Sequence, residues 1–282
     1  MARTIDILVA VPQQDAGRYF KNMRQHDEFR VRIVSELDDL MGDLANKDHQ
    51  TDILVLSQDI PGATELINDL RGGYPRLLIV LVDEEADFAI PGQADDISTD
   101  PFEDDDLARR IQRLMSDRQL ETLRADSLPA VRTFAKKLRD AVGETGKLQA
   151  AAAACSEMNY DYVACYKQDR ENPIALSLKA HEGTRPIRSV APKAATTDDL
   201  MGWVAQTGQS RVAAPEDTPN HPLVAKGRLG AVACVPINIS GVRYGVLVAC
   251  REIPGSITQE NVLMLELVSS QLAAALLKEG VR

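Results

Sequence analysis

The sequence predicts two domains of different class: a doubly wound α/β domain on a parallel sheet, then an α+β domain on an antiparallel sheet. Three observations predict this. The chain has 282 residues, enough for two domains that each bury a core. Up to about residue 118, short apolar runs alternate with amphipathic stretches in the order βαβαβαβ, the pattern of a parallel sheet wrapped by crossover helices. From Leu128 onward, helices gather instead at the two ends of a group of strands. The boundaries read as 1–118 for the first domain, 119–128 for a helical connector and 129–280 for the second.

Thr4–Val11 reads as an apolar strand, and Asp15 caps a helix from Ala16 to about His26. Phe29–Ser35 alternates, with Val31 and Ile33 against Arg30 and Arg32, as a half-buried strand does. Leu37–Lys47 places Leu37, Leu40, Met41 and Leu44 on one helical face. Ile53–Gly62, ILVLSQDIPG, then reads as the central strand: an apolar run, polar residues and a Pro-Gly turn. Functional groups of open parallel sheets lie at the carboxyl ends of the strands, which puts Ser57, Gln58 and Asp59 on that edge. Ala63–Arg71 is a short helix closed by Gly72-Gly73, Arg76–Val82 a nearly all-apolar strand, and Asp83–Gly92 a loop or single turn. Asp104–Arg124 begins acidic and ends basic, as suits a helix dipole.

This order resembles the receiver domains of two-component response regulators, a flavodoxin-like and CheY-like fold. In that family the central strand ends in a phosphate-accepting aspartate four residues before a proline, and the last strand runs into Lys-Pro-Phe. Four residues before Pro61 stands Ser57, and Asp100 precedes Pro101-Phe102 in place of the lysine. The acidic pair expected after the first strand falls at Pro12 and Gln13, and the switch threonine or serine at Val82. Such phosphorylation needs carboxylates to hold Mg²⁺ and a cation to neutralise the phosphate. The resemblance therefore implies a pseudo-receiver, a phosphorylation-incompetent domain kept for protein contacts. Asp59, Asp95, Asp96 and Asp100 read as an acidic rim of the same edge, solvated rather than metal-binding.

In the second domain, helices are expected over Ala130–Val142 and the alanine-rich Lys147–Met158, strands over Tyr160–Lys167 and Ile174–His181, and a helix near Asp198–Gln206. Strands follow over Gly230–Ile237 and Val242–Arg251, then a final helix over Thr258–Leu277. Leu200-Met201-Gly202-Trp203-Val204-Ala205-Gln206-Thr207-Gly208-Gln209, Val235-Pro236-Ile237 with Gly241 and Tyr244-Gly245-Val246-Leu247, and Leu265-x-x-Val268-x-x-Gln271-Leu272-Ala273 together resemble a GAF domain. The resemblance covers roughly residues 128–280 and implies a sensory module holding a small ligand of unknown identity. Lids over Glu182–Thr197 and Ala213–Leu229 would enclose it. Tyr166, His181, Arg188, Arg211 and His221 are the candidate polar wall, with Trp203 on an apolar helix face. Asn220 before His221 removes the usual Cys-His attachment of a linear tetrapyrrole, and the Asn-Lys-Phe-Asp-Glu signature of cyclic-nucleotide binders is missing.

Composition bounds the function. With 44% hydrophobic and 26% charged residues the chain reads as globular, and no signal peptide or long apolar run is evident, so a cytoplasmic address and no membrane are expected. Residues 1–118 carry 25 acidic against 13 basic side chains and the rest 17 against 19, so no nucleic-acid surface is expected. Cys155, Cys165, Cys234 and Cys250 lack CxxC spacing and read as buried thiols, with no metal site. The leading expectation is a non-enzymatic signalling protein acting through a protein partner. The alternatives are a ligand-free structural adaptor and, from some GAF proteins, a free methionine sulfoxide reductase. The final helix is apolar on more than one side. That predicts a homodimer seam of Leu120, Leu123, Val131, Phe134, Leu138, Leu265, Val268, Leu272 and Leu276.

Overall fold

The computed structural model describes residues 4–84, 94–125, 129–169, 175–196 and 198–281, with side chains described except at 119–125, 129 and 130. The chain divides into two compact units, Met1–Arg71 with Leu77–Glu121 and Gly72–Arg76 with Thr122–Arg282.

In the first unit β1 (Ile5–Ala10), α1 (Ala16–Met23), β2 (Phe29–Val34), α2 (Leu37–Ala45), β3 (Ile53–Ser57), α3 (Ala63–Gly73), β4 (Leu78–Val82), β5 (Asp96–Ser98) and α4 (Asp106–Ala125) follow in order. Among the described residues the sheet is parallel and five-stranded, in the order β2-β1-β3-β4-β5. That is a doubly wound, flavodoxin-like order. Every residue of β1 and β3 is buried, the continuous apolar signature of strands covered on both faces. Ile7, Val9, Val55 and Val80 pack with Leu107, Ile111 and Met115 of α4 in one core. Helix α3 runs through Gly72 and Gly73, which were expected to end it. The expected loop 83–92 lies largely outside the described residues.

In the second unit α5 (Pro129–Asp140), α6 (Gly143–Ser156), β6 (Tyr162–Gln168), β7 (Leu176–Gly183), α7 (Arg185–Val190), β8 (Ala194–Ala195), α8 (Leu200–Thr207), β9 (Arg211–Ala213), α9 (Pro222–Ala225), β10 (Ala231–Ile239), β11 (Val242–Arg251) and α10 (Gln259–Lys278) complete the chain. The sheet is antiparallel, in the order β8-β7-β6-β11-β10-β9. Side chains alternate across it. Val163, Cys165, Ala233, Val235, Leu247 and Ala249 face a core shared with α5, α6 and α10, so Tyr162, Tyr166, Cys234 and Cys250 belong to the opposite face. Lys147, 6% exposed, joins three helix ends: its ammonium donates to the carbonyls of Leu138 and Ala141, each at 2.7 Å, and pairs with Glu279 at 3.2 Å.

Seven residues of the expected dimer seam are core residues of one chain. Val131, Phe134, Leu138, Leu265, Val268, Leu272 and Leu276 are all at most 2% exposed within a single chain. The reason is that α10 packs on α5, α6 and β10 together. The Leu120 and Leu123 side chains lie outside the described residues. Helix α10 is long and apolar enough to cross a membrane by length and composition. Val262, Leu265, Leu267, Val268, Leu272, Ala273 and Leu276 of this helix are buried within the chain, whereas Leu277 is exposed.

Candidate functional site

The carboxyl edge of the first sheet is one row of registered residues: Ser57 on β3 faces Val82 on β4, which faces Ser98 on β5. Ser57 is 5% exposed. Its hydroxyl accepts from the Asp59 backbone N–H at 3.2 Å and lies 3.5 Å from the Asp59 carboxylate, an Asx-like local closure of the loop. Val82 is buried and presents no polar group. Pro12 and Gln13 lie in the turn after β1, where the Pro12 carbonyl accepts from Asp15 N–H at 2.9 Å. Asp100 is exposed beside Pro101. Phe102 is clamped by the Tyr19 ring, with centroids 4.7 Å apart, and by the Arg18 guanidinium, 3.9 Å above it.

The acidic rim is also corrected. Asp95 and Asp96 sit at the opposite, amino-terminal end of β5, with Asp96 facing Val80 rather than Val82. Asp95 accepts from Ile79 N–H and from Arg71, both at 2.6 Å. Asp96 pairs with Arg110 at 2.8 Å and with Arg113. These carboxylates fasten α3 and α4 to the sheet, leaving Asp59 and Asp100 on the edge where Ser57 lies. Sequence reading misplaced the pair because β5 is only three residues long and its end was not visible. No cluster of metal-ligating side chains is found among the described residues.

In the second unit the structure separates the expected ligand wall into three groups. Trp203, Tyr166 and His221 are essentially fully buried and Arg211 is 7% exposed. His181 is half-buried, and Arg188 on α7 is exposed, 3.9 Å from Glu182. Tyr162, which sequence reading did not single out, ties the interior together. Its hydroxyl lies 3.5 Å from His181 Nδ1, and its ring centroid is 6.0 Å from His181 and 6.5 Å from His221. A tyrosine at the start of an apolar strand, spaced four residues from Tyr166, was the signal available. Tyr166 donates to the Pro192 carbonyl at 2.7 Å, which fastens the segment after α7 to the sheet.

Burial sets the charge states. His221 is held as neutral imidazole, its pKa pushed down to about 3 by desolvation. Desolvation, then the Arg188 charge, also lowers His181. The four thiols are buried and their pKa values raised by desolvation, that of Cys165 to about 12. They are thiols rather than thiolates, and the thiolate is the reactive form.

The sequence matches the GAF domain family over residues 149–276. Among solved structures, the GAF domain of an Acinetobacter phosphoenolpyruvate-protein phosphotransferase is similar at 20% identity, covering 57% of this chain and 93% of that one with a TM-score of 0.45. The free methionine-R-sulfoxide reductase of Neisseria meningitidis is similar at 19% identity over 52% and 86%, with a TM-score of 0.47. A methyl-accepting chemotaxis protein fragment is similar at 17% identity over 52% and 96%, with a TM-score of 0.44. No curated protein matches the sequence. The curled antiparallel sheet, its helix-packed face and the matched motifs agree: residues 149–276 of this chain are a GAF domain.

Proposed function

We propose that the chain is a non-catalytic signalling protein in which a GAF regulatory domain is joined to a receiver-like domain that does not take up phosphate. The observation carrying this reading is the edge row Ser57–Val82–Ser98. It supplies no carboxylate at the central strand end, where an acyl phosphate would form, and the position before Pro101 holds a carboxylate in place of a cation. A phosphoryl group there would meet Asp59 and Asp100, charges of its own sign, and transfer needs that charge neutralised. Output then passes to a protein partner through surfaces rather than through chemistry. The buried, protonated thiols weigh against a reductase.

Incubation with acetyl phosphate and Mg²⁺ is expected to leave the intact mass unchanged. A Mg²⁺-dependent, acid-labile gain of one phosphoryl group would overturn the reading.

A second reading, a GAF domain used as a ligand-free adaptor, is favoured by one observation: Tyr162, Tyr166 and Trp203 are among the largest fully buried side chains of the molecule and fill much of its interior themselves.

A further inference from the structure

Six polar or charged side chains in the second unit are buried: Lys147, Thr207, Ser210, Arg211, His221 and Ser269. Four are satisfied. Lys147 holds two carbonyls and Glu279, Thr207 donates to the Trp203 carbonyl at 2.9 Å, Ser210 to Glu266 at 2.6 Å and Ser269 to the Pro236 carbonyl at 2.6 Å. Arg211 Nε and Nη1 and His221 Nε2 have no hydrogen-bond partner among the described residues. Buried polar groups in folded proteins are almost always paired, so the exceptions call for an explanation.

All three orphaned atoms are donors. His221 Nδ1 accepts from Leu223 N–H at 3.2 Å, which fixes the proton of the neutral ring on Nε2. Arg211 cannot lose its charge. Its guanidinium lies over the Trp203 indole, 5.1 Å from the ring centroid. A ring face meets the flat of a guanidinium, whereas the N–H bonds lie in its plane and still need acceptors. Both residues also belong to one side of the sheet. Arg211 pairs with Cys234, whose neighbours Ala233 and Val235 face the helices, and His221 lies against Tyr162, which alternates in the same way with Val163.

A buried cation and a buried neutral donor on the face away from α5, α6 and α10, with no acceptor for the orphaned atoms of either, define the complement by chemistry. We propose that this face of the GAF domain binds a small organic acid, its carboxylate taken by Arg211 and a second acceptor oxygen by His221 Nε2–H. The proposal rests on the sensory reading of the GAF domain and gives it a ligand class. Arginine meets a carboxylate with charge-assisted bonds that an amide does not provide. Arg211 is on β9, and His221, which precedes α9, lies against Tyr162 of β6; β11 and β10 separate those two strands, so the two donors serve different parts of the face. An elongated acid with acceptors at both ends fits that arrangement better than a compact anion.

Thermal shift and calorimetric titration of the full chain with succinate, glutarate, succinamide and inorganic phosphate test this. Succinate or glutarate is expected to raise Tm and to bind in the millimolar range or tighter, while succinamide and phosphate do neither. Arg211→Met is expected to abolish the shift, and His221→Phe to weaken binding about tenfold. The wild-type comparison of acid with amide needs no variant to fold. Binding of succinamide equal to that of succinate, or of phosphate alone, overturns the organic acid and leaves a sensory GAF domain standing. Absence of a shift with every probe overturns the proposal and favours the adaptor.

Discussion

Gly245→Ala is expected to cost about 3 kcal/mol of stability or more, the upper end of what overpacking a well-packed interior costs. Gly245 lies in β11 between β6 and β10, paired with Lys167 on one side and Ile237 on the other. A Cβ built there would stand 1.9 Å from the Tyr166 carbonyl oxygen and 3.1 Å from Lys167 Cα. The obstruction is backbone, which cannot rotate away as the end of a flexible side chain can. The β6–β11 pairing runs in unbroken register past Gly245, and on the other side β11 carries one extra residue, Tyr244, next to Gly245 where it pairs with β10. Close approach of a neighbouring backbone is the usual reason for glycine inside a strand. Moving β11 away from β6 presses it on β10, so the clash is relieved only by loosening the sheet centre. Urea unfolding of the variant should show a lowered midpoint at nearly unchanged slope. A loss below about 0.5 kcal/mol would show that the β6–β11 pair is looser than the structure has it.

Long, strongly patterned elements were legible in the sequence. β11 appears with the expected bounds, β3 with the expected start and α10 within a residue of its expected ends, because long apolar runs and a twenty-residue helix with a Thr258 capping box leave little ambiguity. The short elements were not legible. β9 has three residues, β8 two and α9 four, too few for any period to repeat, and they are placed by the sheet and lid rather than by local preference. The same limit explains the site. Ser57 and Val82 were placed on one edge because their strands are long enough to show where they end. Asp95 and Asp96 were assigned to that edge although they sit at the start of β5, where Arg71, Arg110 and Arg113 hold them. Hydrophobicity marks a helix face as buried but says nothing of what buries it. Leu265, Val268, Leu272 and Leu276 of α10 were therefore assigned to a seam between chains, whereas they are buried within this one, in one core with residues of α5 and α6.

That correction has a measurable consequence at Leu272, which is 0% exposed and part of the core formed by α5, α6, α10 and the sheet. Leu272→Ala removes three buried carbons and leaves a cavity among packed helices, so it is expected to destabilise the chain by about 3 kcal/mol and to lower Tm by about 10 °C. Leu272→Glu should be worse, because a carboxylate there would have no partner in an apolar core and would have to stay protonated or force the helix off the sheet. If the seam lay between two chains, the outcome would differ in kind. Truncation would lower the association mass while the separated chain stayed folded, and the apparent Tm of the wild type would rise with protein concentration. Burial within one chain predicts a Tm for Leu272→Ala that is lower by the same amount at every concentration, with no change in the mass of the folded species by light scattering. A folded Leu272→Ala chain of wild-type Tm and halved mass would place this helix face at an interface between copies instead.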